Sequence, residues 1–597
     1  MTNTPRRLTR LDSLRPANEP SDVTAIIGYG FKLDDVSRPI TAETLEAARA
    51  IVRRAAAEGA LWLDADTGIT NIADAFIYDP ALSYYPLAQA ILDEAHRAGI
   101  KVFFYLSGTE IETPNASTRA APRLEDQHPD WLQVDQHGEP MVFKPGELNL
   151  FWLDADTASA RLTPLAPGFR DALFTRAAKL AELGADGIFV DVPYFFAHDG
   201  RWSDLSEHSA RAFKADTGFD LPRNLHADGQ AWRVWLDWRH AVWRDYFAEL
   251  RARVRAANPD TLIIIEEVPG GAPLEAIYWG LDPAIADAVI DVAAHEYDHK
   301  QDAGGALVYE PADWQHTRDV YKWYQGLNRV NWSLCYATNA PDSRALAAIT
   351  YAHQLSFWET RAPGMVDASV DPVWRRQLLA WVKQRGAAFN GAQPIAEIAV
   401  LYSGRARNLS NAASLAPLKE IQHALDAAGL PYVVIAEPNI VRIHDFPYLI
   451  LPGVKSVTGA ARAEVEKYTG ALLLTGDSLT RDEWDERDAR PPALAVTDAV
   501  ARITTTPIEV RGGDGLFVEL FRAAGGFQIR LFNPELDADF AAAPRAVTLR
   551  FGWDGPAPRV TQLDFMADAP AELRSAVTDG VAEVKATIGL MTVITVH

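Results

Sequence analysis

Eight short apolar runs recur along the first two-thirds of the chain, and amphipathic helical segments separate most of them. The runs are VTAIIGYGF (23–31), LWLDAD (61–66), KVFFYLSG (101–108) and DGIFVDVP (186–193). TLIIIEEVP (261–269), ADAVIDVAAHEYD (286–298), NWSLCYATN (331–339) and HQLSFWET (353–360) follow. Alternation of this kind implies a parallel sheet, and eight repeats favour a closed (β/α)8 barrel over an open sheet. The runs are continuously apolar, as strands covered on both faces must be. Helical patterns at 43–58 and 85–98 each run into a glycine, Gly59 and Gly99, which marks a C-terminal stop.

The rhythm changes twice more. From about residue 393, IAEIAVLYS, YVVIAE, YLILPGVKS and ALLLTGD alternate with helical segments, a second and smaller α/β unit. From about 506, GLFVELFRAAGGFQIRLFNP, AVTLRFGWD, RVTQLDF and LMTVITVH read as strands without helices between them. The expected layout is an N-terminal arm (1–21) that is polar and loose, and a barrel (22–392). A flavodoxin-like domain (393–505) and a small antiparallel β-sandwich (506–597) complete it.

Composition narrows the function. The 597 residues carry 57 Lys and Arg against 80 Asp and Glu, a net charge of −23. Such a field repels polyanions, so nucleic acid is not an expected partner. A single cysteine, Cys335, excludes an intramolecular disulfide framework and Cys-rich zinc sites. No apolar run reaches membrane-spanning length, and the basic N-terminus lacks the apolar stretch of a secretory signal. A cytoplasmic protein with no membrane partner is expected. No P-loop, G-x-G-x-x-G fingerprint or G-x-S-x-G elbow occurs, so no cofactor is expected.

Functional groups of a (β/α)8 barrel sit where its strands end. Here those ends supply Asp64 and Asp66, Tyr105, Asp191 with Tyr194, Glu266 with Glu267, Glu296, Asn339, and Trp358 with Glu359 and Arg361. Carboxylates and aromatics converging on one rim suit glycoside hydrolysis, in which one carboxylic acid protonates the leaving oxygen and a second carboxylate attacks or activates water. Asp191 is the leading catalytic candidate, a charge directly after the apolar GIFV run. Glu267 or Glu296 is the candidate acid. Adjacent strand residues point to opposite faces, so only one of Glu266 and Glu267 enters the bowl; Glu267, nearer the strand end, is the expected one. Asp64, Asp66, Tyr105, Tyr194, Asn339, Trp358, Glu359 and Arg361 are the candidate substrate-binding residues. A capping role for the carboxylates competes with this reading. His295-Glu-Tyr-Asp-His299 matches H-E-x-x-H, a zinc-hydrolase alternative, yet it falls where the sixth strand is expected. No metal is expected at the main site.

Further segments carry a resemblance. HPDWLQVDQHGEP (128–140), GADGIFVDVPYF (184–195), SARAFKADTGFDLP (209–222) and WRDYFAELRARVRAANPD (243–260), with the strands of the second domain, resemble in order and spacing the family 42 β-galactosidases and their glycosyl hydrolase relatives. The resemblance implies a catalytic barrel, a trimerisation-like flavodoxin domain, a homo-oligomer with a trimer as the family-based expectation, and a carbohydrate substrate. Those β-galactosidases place an Asn-Glu pair after the fourth strand and a nucleophilic Glu on the seventh. Here the corresponding stretches read Val190-Asp191-Val192-Pro193 and SLCYATNAP. The fourth strand is in this respect similar to α-galactosidase and α-fucosidase barrels, whose nucleophile is an Asp there; only Asp191 is carried over. Two functions follow as expectations: an exo-acting glycosidase, or a carbohydrate-binding pseudoenzyme.

Overall fold

A computed structural model describes residues 6–28, 40–65, 85–113, 116–117, 124–148, 155–222, 229–267, 277, 279–297, 314–327, 329–337, 339–360, 372–410, 415–484 and 492–597. The eight apolar runs form eight parallel strands. They are β1 (Ala25–Gly28), β2 (Trp62–Ala65), β3 (Lys101–Ser107) and β4 (Gly187–Asp191), then β5 (Leu262–Glu267), β6 (Val292–Tyr297), β7 (Val330–Tyr336) and β8 (Ser356–Thr360). Each pairs with its neighbours in sequence and β8 returns to β1, so the sheet closes.

Alternation within the strands sorts side chains into two shells. Leu63, Val102, Ile188, Ile263 and Phe357 point outward into the core shared with the helices, which contribute Val52 and Ile91. Ile26, Trp62, Phe103, Phe189, Ile264, Val292, Ala294, Trp332, Leu334 and Trp358 fill the interior. The aromatic members interlock edge-on: Phe103 and Phe189 each lie with ring centroids 5.0 Å from that of Trp358. The barrel is therefore a packed core, and inside its C-terminal mouth only the residues above this plug can meet a ligand.

The helices are fixed by local chemistry. Helix α1 (Ala42–Glu58) starts at Thr41, whose hydroxyl accepts from the Thr44 amide, and ends at Gly59 in the left-handed region (φ 89°). A side chain at that φ would be strained, which is why the helix stops on glycine. Helix α2 (Tyr85–Arg97) packs against α1, burying Leu87, Ile91 and Ala95.

Residues 398–475 hold a four-stranded parallel sheet of β9 (Ile398–Tyr402), β10 (Tyr432–Ala436), β11 (Tyr448–Pro452) and β12 (Ala471–Thr475). Its order, β10-β9-β11-β12, is that of a flavodoxin-like sheet. Two antiparallel sheets then share one apolar core that includes Ile508, Leu520, Leu549 and Ile594. The barrel, flavodoxin-like unit and β-sandwich are the architecture expected from the sequence.

The N-terminal segment departs from expectation. It is stapled along the C-terminal sheets rather than loose. Arg7–Leu8 pairs in parallel with Thr505–Thr506, and bridges join Arg10 to Gly552, Pro16 to Ile395 and Ser21 to Ala392. Leu11, Leu14 and Ala17 are buried there. Three apolar residues spaced by three among polar neighbours are enough to dock an otherwise hydrophilic strip.

Buried ions knit the units together. On helix α3 (Trp314–Gln325), Arg318 lies 2.9 Å from Asp426 of the flavodoxin-like unit and 2.8 Å from Glu519 of the sandwich. Lys322, one turn on, lies 3.0 Å from Glu519. Arg407 of the flavodoxin-like unit reaches Asp282 (3.0 Å) and His240 (3.1 Å) of the barrel region. Among the described residues, no helix is long and apolar enough to cross a membrane.

Candidate active site

Above the aromatic plug, the inward rows of β2 to β5 change from apolar to polar. Asp64 follows Trp62 by two residues, Tyr105 follows Phe103, Asp191 follows Phe189, and Glu266 follows Ile264. The period of two in a strand puts each polar residue on the face of its apolar predecessor. Glu296 holds the equivalent position two beyond Ala294, in register with Leu334 of β7.

Asp191 ends β4. The Tyr105 hydroxyl donates to its Oδ2, and Tyr105 itself packs edge-on against Phe189. The chain then makes an abrupt turn. Val192 has φ 48°, a left-handed conformation that a β-branched residue adopts only under constraint. The constraints are visible. The Val192 amide donates to Glu266 Oε2 (2.9 Å), and the Tyr194 hydroxyl donates to the same oxygen (2.6 Å). Thr109 Oγ1 donates to the carbonyl of Val192 (2.7 Å), and the Gly108 amide donates to that of Asp191. A Cβ on Gly108 would lie 2.8 Å from Pro193 Cα, so only glycine allows this approach. Glu266 is thus the clamp of the turn that carries Asp191.

These contacts correct the choice between the two glutamates of β5. Ile263 and Ile265 pack outward and Ile264 inward, so Glu266 faces the bowl. Glu267 pairs with His295 of β6, which belongs to the outward row. Position along the strand was the wrong criterion; side-chain parity decides.

Four further expectations are corrected. Glu359 is fully buried on the outer face of β8, where it accepts from Ser343 Oγ (2.8 Å) and pairs with Arg375. Trp358, 1% exposed, is part of the plug rather than a surface for a sugar. Asn339 caps helix α4 (Ala340–Ala352), its side-chain oxygen accepting from the Asp342 amide (2.9 Å). Tyr194 is buried, stacked on Trp279 at 4.5 Å, with its hydroxyl spent on Glu266. Asp66 and Arg361 lie outside the described residues.

The zinc alternative fails on local structure. Val292–Tyr297 is a strand, so the spacing of H-E-x-x-H does not place both histidines on one helix face. His295 is buried outside the barrel, stacked on Tyr324 at 3.9 Å, and burial pushes its imidazole down to about 3. His299 lies outside the described residues. Among the described residues, no cluster of three or more His, Cys, Asp or Glu could hold a metal ion. Cys335 packs outward from β7, and burial pushes its thiol up to about 12.

One wall of the bowl is an insertion after β3. Glu110–Thr113, Val142–Phe143 and Ala158–Arg161 form a three-stranded antiparallel sheet. Its centre is a buried ion pair, Arg161 to Glu110 at 2.7 Å, with the guanidinium 4.0 Å from the ring of Phe196 beyond β4.

This arrangement of barrel, flavodoxin-like unit and β-sandwich is shared with solved family 42 β-galactosidases. A catalytic mutant of one from G. stearothermophilus shares it at a TM-score of 0.68 and 11% identity, covering 99% of this chain and 100% of that one. The β-galactosidase from Bacillus circulans sp. alkalophilus gives 0.67 and 13%, covering 97% and 100%. An α-L-fucosidase, isoenzyme 2 from Paenibacillus thiaminolyticus, gives 0.63 and 13%, covering 96% and 99%. No family model matches the chain, and no curated protein matches it by sequence.

Proposed function

We propose that the chain is a glycoside hydrolase that works with Asp191 and a second carboxylate at the C-terminal rim of the barrel. The observation that carries the reading is Asp191 itself: an inward-facing carboxylate at the end of β4, held by the Tyr105 hydroxyl above an aromatic floor. Asp191 serves as the nucleophile in a retaining reaction, or as the base that activates water in an inverting one. In the first case its carboxylate bonds to the anomeric carbon as the glycosidic C–O bond breaks, and the acid delivers a proton to the departing oxygen. Water then releases the sugar, giving its proton back to that acid.

Glu296 is the proposed acid. Glu266 already accepts two hydrogen bonds through one oxygen, which suits a fixed carboxylate better than a proton donor. Glu296 stands two residues beyond Ala294 near the end of β6, one step in register above Glu266. Asp64 is proposed to bind sugar hydroxyls. The inserted sheet after β3 supports an exo mode, because it closes one side of the bowl. The flavodoxin-like unit supports a homo-oligomer, proposed as a trimer, and the acidic composition fits a cytoplasmic enzyme acting on small glycosides.

The β4 and β7 stretches, ending in Asp191 and Tyr336 where family 42 enzymes carry glutamates, favour one second reading, a carbohydrate-binding protein without turnover. One experiment separates the two. A panel of nitrophenyl α- and β-glycosides, with galactosides and fucosides foremost, is incubated with wild type and Asp191→Asn. Turnover lost in the variant supports the hydrolase, and azide rescue of Asp191→Ala, read as a glycosyl azide, supports the nucleophile. Sugar binding by calorimetry with no turnover of any glycoside supports the second reading.

A further inference from the structure

The flavodoxin-like unit reaches toward the turn that carries Asp191 through a short stretch of chain beyond β5. Arg407 makes the contact. It stands on the helix Gly404–Leu409, just after β9, and is fully buried. Its Nη1 donates to the Tyr402 hydroxyl (2.7 Å) within its own unit. Its Nη2 meets two partners on the barrel side, the Asp282 carboxylate at 3.0 Å and His240 Nε2 at 3.1 Å.

His240 lies on the long helix Gln230–Ala257, and its two ring nitrogens have different tasks. Nδ1 is 2.7 Å from the Gly280 carbonyl, which can only accept, so this nitrogen carries the proton. Nε2 then accepts from Arg407 and from Asn408 Nδ2 (3.1 Å). Burial and the neighbouring Arg407 push the imidazole down to about 4, so the ring stays neutral and keeps this arrangement.

Gly280 and Asp282 belong to one stretch, residues 279–282, whose other side presses on the active-site turn. The Phe195 amide donates to the Trp279 carbonyl (2.9 Å), and the Trp279 ring stacks on Tyr194. Gly280 holds φ 71°, and a Cβ there would lie 2.7 Å from the Phe195 ring. Tyr194 in turn donates to Glu266, the carboxylate that clamps Val192. Residues 279–282 are thus gripped from one side by Arg407 and His240, and on the other side they pack against the chain that follows Asp191.

We infer that Arg407 is a positioning residue of the active site, a role that rests on the hydrolase reading of Asp191: it holds residues 279–282, and through them the Tyr194–Glu266 clamp, in place. The flavodoxin-like unit then has a share in turnover that an oligomerisation module alone would lack. A planar guanidinium meets Asp282, His240 and the Tyr402 hydroxyl at once, whereas an ammonium is a point charge on a flexible stem and satisfies fewer. Losing the Arg407 donor also weakens the hold on the His240 tautomer, on which the bond to Gly280 depends.

The test compares three variants of the full chain. Arg407→Lys keeps a cation beside Asp282 but loses the fork. His240→Phe keeps a ring and the Arg407–Asp282 pair but loses the bond to Gly280, and so provides a second route if Arg407→Lys does not fold. Arg405→Ala controls for general loosening between the units, because the partners of Arg405, namely Asp237 (2.6 Å), Glu483 and Trp484, lie outside residues 279–282. Amide exchange read by mass spectrometry in a peptide covering 191–196 should be at least about tenfold faster in Arg407→Lys and His240→Phe, and unchanged in Arg405→Ala. On a glycoside that the wild type turns over, the first two should lose about tenfold in kcat with KM within about twofold, and Arg405→Ala should keep the wild-type kcat. Unchanged exchange in both Arg407→Lys and His240→Phe would overturn the inference, as would faster exchange with kcat intact, or equal effects in Arg405→Ala. A wild type silent on every glycoside would count against the hydrolase reading instead, and the exchange comparison would still decide whether Arg407 holds the turn.

Discussion

Glu519 offers the sharpest test of how the three units hold together. It is buried in the sandwich, accepts from Lys322 Nζ (3.0 Å) and Gln325 Nε2 (3.1 Å), and lies 2.8 Å from Arg318. Burial alone would raise its carboxyl, but Lys322, Arg318 and His353 overrule that and push it down from 4.5 to about 2. A displacement of that size corresponds to about 3 kcal/mol favouring the charged, folded form. Because the folded value is the lower one, this contribution is complete above pH 4.5 and drains away as the pH falls toward 2. Glu519→Gln removes the charge and leaves Lys322 buried without its carboxylate, a loss of about 3–5 kcal/mol. The assay is urea unfolding followed by tryptophan fluorescence, from neutral pH down to the acid limit of the wild type. The variant should be less stable by that amount at pH 7, and the gap should narrow below pH 4.5. A neutral-pH gap under about 0.5 kcal/mol, or a gap that is constant with pH, would refute the reasoning.

Other outcomes follow from the bowl and its surroundings. Asp191→Asn should lower kcat/KM by at least about 10³-fold, measured on whichever glycoside the wild type turns over. Tyr105→Phe removes one hydrogen bond to a charged group and should cost about 10- to 100-fold in kcat with little change in thermal midpoint. Glu266→Gln should loosen the turn at Val192, seen as a larger fall in kcat than in sugar affinity, whereas Glu267→Gln should leave kcat near wild type. Cys335 should stay silent toward a thiol reagent in the native protein at pH 8 and react on unfolding, because burial holds its thiol near 12.

The fold was open to reading because strand and helix alternate over long stretches, and all eight apolar runs became the eight barrel strands in order. The site was only half open. A strand covered on both faces is apolar at every position, so composition carries no parity, and parity is what separates Glu266 from Glu267 and sends Glu359 outward to Arg375. A usable signal did exist. Trp62-x-Asp64, Phe103-x-Tyr105 and Phe189-x-Asp191 repeat one pattern, a large aromatic followed two residues later by a polar group. Extended to Ile264-x-Glu266, it selects the right glutamate. Asn339 and Trp358 show the converse: a polar residue after a strand was a helix cap, and an aromatic before the rim was core. The docked N-terminal segment could not be foreseen, since its partners lie hundreds of residues away.

That docking sets an order of events during synthesis. Arg7 and Leu8 leave the ribosome long before the strand they join, Thr505–Thr506. At roughly 5–20 residues per second, the leading segment waits on the order of a minute for its template. A barrel that closes as it emerges therefore does so with this tether still adrift, and the segment docks only once Thr505–Thr506 has been made.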